Sequence, residues 1–186
     1  MRLVPILVAA TLLAAPVVSS ARTVKAAPAP APAVPKSGLR AELLRDLEDV
    51  EKKTMQLAMV MPASKYSWRP ARGVRSVSEV FMHVAGGNYF TAAAITGKPV
   101  ATGAESLEQI AEKERVLDAL RKSFDQLRGA MLNTTDADLD RSVRMFGSDM
   151  TARAAFMTAV NHLHEHLGQS IAYARMNGIA PPWSGM

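Results

Sequence analysis

Between Ser37 and Asn177 apolar residues recur at helical spacing in four separate stretches, and no stretch of comparable length alternates with the period of a strand. The first carries Leu39, Leu43, Leu44, Leu47, Val50, Met55 and Met59 and stops at Pro62. The second opens at Ser76-Val77-Ser78-Glu79, a capping box in which serine and glutamate satisfy each other's backbone amides, and runs to about Thr96, ahead of Gly97 and Pro99. Ser106-Leu107-Glu108-Gln109 repeats that signature and predicts a third helix through Leu117, Leu120, Phe124, Leu127 and Met131. A single turn is expected at Thr135 to Asp138. The fourth helix starts near Thr151, with Asp149 or Thr151 as its cap. It ends at Asn177-Gly178, beyond which Pro181 and Pro182 forbid continuation. Four helices of this length bury their stripes most economically against one another, so the fold class is all-α, a four-helix bundle over residues 37–186. Tyr66 and Trp68, in the first long loop, are expected to cover one end of its core.

What precedes Ser37 cannot belong to that core. Met1-Arg2 leads into the apolar run "LVPILVAATLLAAPVV" and then "SSAR", where Ser19 and Ala21 fit the small-residue rule for cleavage after Ala21. Residues 1–21 therefore read as a signal peptide. The alternative is an uncleaved anchor, but the run falls short of the roughly twenty apolar residues needed to span a bilayer, and Pro5 and Pro16 interrupt it. Residues 22–36, "RTVKAAPAPAPAVPK", form an Ala/Pro-rich disordered linker that favours extended polyproline conformations. The expected destination is the periplasm or the medium, with no stable membrane anchor once the leader is removed.

The formal charge of +5 suggests a nucleic-acid partner until it is located. Arg2, Arg22, Lys25 and Lys36 lie ahead of the bundle, which keeps 18 of the 22 basic residues against all 17 acids, a net charge of +1. Mixed signs at near-neutrality give no phosphate-binding stripe. Nucleic acid is excluded as a partner on that ground, and the absence of cysteine excludes disulfides and thiolate ligands.

Three of the four histidines stand in "NHLHEHLGQS". On a helix His162 and His166 lie about 40° apart on successive turns, whereas His164 is rotated about 160° from both. The core stripe of this helix is Phe156, Val160, Leu163, Leu167 and Ala174. His162 and His166 run along its edge, and His164 points to solvent with Arg153, Asn161 and Arg175. His83 lies likewise at the edge of the second helix's stripe of Val77, Val80, Val84 and Ile95, with Gly87 one turn on. Small residues at Gly86, Gly87, Ala155 and Ala159 allow close helix approach or room for a ligand. Three imidazoles with an open fourth position suit a divalent transition metal, zinc or nickel first, with water or substrate completing the set. The bland alternative is a set of hydrogen-bonded core-edge histidines. Glu79, engaged in its cap, and Glu165, a surface charge, are the only acids expected near these faces. Affinity for the ion should fall as pH drops through the free-histidine pKa of roughly 6.5.

The string "HLHEHLGQSIAYARMNGIAPP" resembles the terminal signature of the DinB-like family of metal-binding four-helix bundles, with His162, His166, Gly168, Gln169, Arg175, Gly178 and Pro182 at the matching places. "WRP" at Trp68 to Pro70 and "SVSEVFMHVAGGNYF" around His83 are similar to the family's first loop and second helix. The resemblance spans nearly all of residues 37–183. It implies His83, His162 and His166 as metal ligands and a structural or ligand-orienting part for Gly168 and Gln169. It also implies a metalloenzyme, since relatives include thiol-dependent transferases and isomerases; export sets this chain apart, because low-molecular-weight thiols are chiefly cytoplasmic.

Two functions remain open at this level: a metal-dependent hydrolase or thiol-dependent transferase acting on an unknown small molecule, or a non-catalytic metal- or ligand-binding bundle. A homodimer is compatible with either. The leader generates the first prediction: terminal sequencing of the exported protein returns Arg22 or a close neighbour, whereas recovery of Met1, or of all the protein in the cytoplasm, would contradict it.

Overall fold

A computed structural model describes residues 33–100 and 104–185. The leader assigned to 1–21 and the linker as far as residue 32 lie outside them. The described chain forms α1 (Leu39–Val60), α2 (Val77–Thr96), α3 (Lys113–Asn133), the strands β1 (Ser142–Met145) and β2 (Ser148–Thr151), and α4 (Ala152–Met176), with short 3-10 turns at Ala63–Lys65, Ala104–Gln109 and Ala137–Asp140. None of the described helices is long and apolar enough to cross a membrane.

Each helix end has a local cause. Ser76 accepts from the Glu79 amide while the Glu79 carboxylate accepts from the Ser76 amide at 2.7 Å, so the capping box that opens α2 is formed in full. The Thr151 hydroxyl accepts from the Ala154 amide and opens α4. At the far end Gly178 takes φ 73°, its amide reaching Arg175 and the Ile179 amide reaching back to Ala174, the paired bonds of a Schellman motif. Long cations close two other helices. Lys113 donates to the carbonyls of Met59 and Met61 beyond α1, and Arg40 to those of Leu132 and Thr134 at the end of α3.

α1 and α2 each pack against both α3 and α4, so α1 faces α2 across one diagonal of the bundle and α3 faces α4 across the other. The connections 61–76 and 134–151 must therefore cross the ends of the bundle, which is why they are long. Leu47, Leu57, Met82, Leu120, Phe124, Phe156 and Leu163 fill the centre with almost no exposure. A buried polar tie, Asn88 to Ser123 at 3.1 Å, fixes α2 against α3. In the first crossing Tyr66 is buried, with its hydroxyl donating to the Ala58 carbonyl at 2.8 Å, and Trp68 stands edge-on to Tyr173 at 5.5 Å, as expected of a plug.

Two expectations need correction. The fold is mostly helical with four long helices, but the second crossing contains an antiparallel hairpin that an all-α reading omits, with Ser142 paired to Thr151 and Met145 to Ser148. Four residues per strand are too few to register as a strand in sequence, yet in β1 Val143 and Met145 alternate inward onto the bundle. The third helix begins at Lys113, later than the Ser106 signature suggests, because residues 104–109 form a separate 3-10 turn packed on α2.

Candidate metal centre

The register of α4 puts His162 and His166 one turn apart with ring centroids 4.4 Å from each other, and they meet His83 of α2 edge to face at 5.1 and 4.8 Å. One ring nitrogen from each lies within 4.8 Å of the others. The Nε2 atoms of His83 and His162 are 3.2 Å apart. Two ligands at the tetrahedral angle on metal–nitrogen bonds of about 2.0–2.1 Å would stand about 3.3 Å apart, so this edge already has the spacing a zinc-sized ion requires.

The far sides of two rings are spoken for. Gln169 Oε1, one turn along α4, accepts from His166 Nδ1 at 2.8 Å, and its amide nitrogen donates to the Tyr173 hydroxyl, which donates to the Arg75 carbonyl. Glu108 Oε1 accepts from His83 Nδ1 at 3.3 Å and from the Arg75 guanidinium at 3.2 Å. Acceptors on Nδ1 select the tautomer that leaves Nε2 as a lone pair facing the centre, the arrangement in which imidazoles ligate metals. Gln169 is thus hydrogen-bonded to one ring of the cluster. Glu108 was missed from sequence, where only Glu79 and Glu165 stood as nearby acids. It sits in the 3-10 turn before α3, and no local pattern points that turn at His83. Glu79 is held by its cap and by Arg69 at 2.8 Å, and Glu165 is exposed.

His162 has the tightest setting. A Cβ on Gly87 would fall 2.8 Å from His162 Cε1 and 3.1 Å from Nδ1, so the ring occupies the space a side chain there would take. Burial, then the neighbouring imidazoles of His166 and His83, hold the His162 pKa down to about 4 from its ordinary 6.5. Burial is also the first cause lowering His83, followed by the Arg75 charge and His166, against the opposing pull of Glu108. Both rings therefore stay neutral at lower pH than free histidine. His164 lies apart, exposed and bonded to Asp46 of α1 at 2.8 Å.

His83 and His162 form part of the wall of a cavity of about 390 Å³, within the range of small-molecule sites. Most of the remaining wall is apolar, including Met82, Leu107 and Met145.

Comparisons with known proteins agree with this arrangement at the level of family and fold. Residues 46–170 match the family model of the DinB superfamily. No curated protein matches the chain. Among solved structures, a DinB-like protein from Bacillus subtilis is similar with a TM-score of 0.61 and 23% identity, over 74% of this chain and 92% of that one. A DinB-like protein from Bacillus cereus gives 0.62 and 21%, over 75% and 93%. A conserved protein from Enterococcus faecalis gives 0.63 and 15%, over 75% and 97%. At these identities the likeness speaks to the fold.

Two predictions come from the geometry. Gly87→Ala should push the His162 ring off the centre and weaken zinc binding roughly 10–100-fold in a chelator competition, although alanine favours the helix itself. The second is a pH profile of the metal-free protein. Its unfolded chain takes up a proton at His162 near pH 6.5 and the folded one only near 4, so the native state binds fewer protons between those values. The stability tied to this neutral ring is complete above pH 6.5 and is lost as pH falls toward 4. Melting curves across that window should show a decline that is shallower in His162→Gln.

Proposed function

Since the chain belongs to the DinB superfamily, we propose that it binds one divalent metal ion, zinc or nickel, through Nε2 of His83, His162 and His166, and that it uses this centre as a metal-dependent hydrolase of a small molecule. The observation that carries the reading is the pairing of converging ring nitrogens with Nδ1 acceptors on two of the rings, Gln169 and Glu108. His83 and His166, each held by an acceptor on Nδ1, turn their other ring nitrogen as a lone pair toward a point shared with His162, an arrangement a metal ion would satisfy in full. Bound there, the ion would supply Lewis acidity and lower the pKa of a coordinated water or thiol. The chain's own residues do the rest: Gln169 and Glu108 fix ring orientation, Gly87 admits His162, and the apolar wall limits water around the substrate.

Hydrolysis is preferred to thiol transfer because we read residues 1–21 as an export signal, which would carry the protein away from the cytoplasmic thiol pool. A second reading, a binding protein without turnover, draws on one feature. Among the described residues Glu108 is the only carboxylate in the cavity wall, and both Arg75 and His83 already engage it.

The test is the metal content of protein purified without a histidine tag, with titration of single variants. His83→Ala, His162→Ala and His166→Ala should each abolish stoichiometric binding, Gln169→Ala should weaken it roughly 10–100-fold, and His164→Ala should leave it unchanged. If His164→Ala proves as damaging as the other three, or the wild-type protein takes up neither zinc nor nickel, the proposal fails.

A further inference from the structure

The mouth of the cavity beside the histidines is formed by a residue that folding does not favour. Phe146 and Gly147 make the two-residue turn between β1 and β2, with φ of 52° and 77°. A hairpin turn with positive φ at both positions selects Asn, Asp or Gly at the first, and among the described residues Phe146 is the only non-glycine in this region of backbone space. It is also 68% exposed, so its ring gains little from burial. Backbone strain and an exposed aromatic ring at one position call for a reason outside stability.

The surroundings supply one. Phe146 stacks at 5.1 Å on Phe90 of α2, itself 39% exposed, and the two rings form one lip of the cavity whose wall also holds His83 and His162. Phe90 lies two turns after His83 on the same helix face, so a ligand resting on the aromatic pair points its other end at the imidazoles. Met82, Leu107 and Met145 line the same cavity with apolar side chains, and among the described residues only Thr91, Thr158 and Glu108 besides the histidines bring polar side chains to its wall.

We propose that this cavity takes a small molecule with an apolar, aromatic body, gripped by Phe90 and Phe146, with its polar head at the histidines. The assignment of the head rests on the metal reading above, whereas the apolar grip rests on the aromatic lip alone. Polyhydroxylated or multiply charged substrates would leave their polar groups unpaired against this wall and are disfavoured. Phe146 is then the specificity-determining residue, held in a strained turn by the hairpin so that its ring closes over the substrate.

The test uses N-phenyl-1-naphthylamine, a neutral aromatic probe that brightens on leaving water, titrated into the purified protein, with zinc content measured on the same samples. Saturable binding is expected, weakened roughly three- to tenfold in Phe146→Asn and in Phe90→Ala and largely kept in Phe146→Leu. Asparagine fits the turn, so the melting temperature of Phe146→Asn should hold or rise. Absence of saturable binding, or equal binding by wild type and Phe146→Asn, would overturn the inference. So would a drop in melting temperature beyond roughly 4 °C in Phe146→Asn, which would make the ring a structural element. Zinc occupancy is read independently, so loss of the probe with zinc retained sinks this inference alone, and loss of zinc with the probe retained sinks the metal reading alone.

Discussion

Close approach of α2 and α4 at Gly87 is the constraint on which the site depends. With no side chain at that position, the His162 ring packs directly onto the α2 backbone and reaches His83 at 3.2 Å. Any larger residue would separate the helices or turn the ring away, and either response dissolves the triad. The same proximity removes water from around His162, so the packing that brings the rings together also depresses the pKa of His162 and keeps that ring neutral. Geometry and electrostatics thus share one cause.

The bundle supports this contact from both ends. The Ser76–Glu79 box sets where α2 begins and therefore which face carries His83, while Thr151 sets the start of α4 and the phase of His162 and His166. The two crossings then close the ends. One supplies Arg75, whose carbonyl anchors the Gln169–Tyr173 chain and whose guanidinium holds Glu108 beside His83. The other supplies the hairpin that leans Phe146 over the cavity. The outer parts of the site come from connections, as expected when a rigid scaffold positions variable loops.

That division explains what could be read in the sequence. Helix periodicity, the capping box and the Asn177–Gly178 stop are local signals, each satisfied by residues within a few positions, and they place the three histidines on core-edge faces and His164 outside. Glu108 and Phe146 act across the bundle and carry no such signal. The Ser106 signature looks like a helix start and hides a turn packed on α2. Phe146-Gly147 lacks the Asn-Gly pattern that would betray a hairpin. The diagonal order of helices was also invisible, since similar stripes can pack in several arrangements.

The central claim is that the three Nε2 atoms form one metal centre, and X-ray absorption on zinc-loaded protein tests it most directly. The account predicts three imidazole nitrogens at about 2.0–2.1 Å with one oxygen donor completing the shell, reduced to two imidazoles in His83→Ala. A shell dominated by oxygen, or one unchanged by His83→Ala, would contradict it.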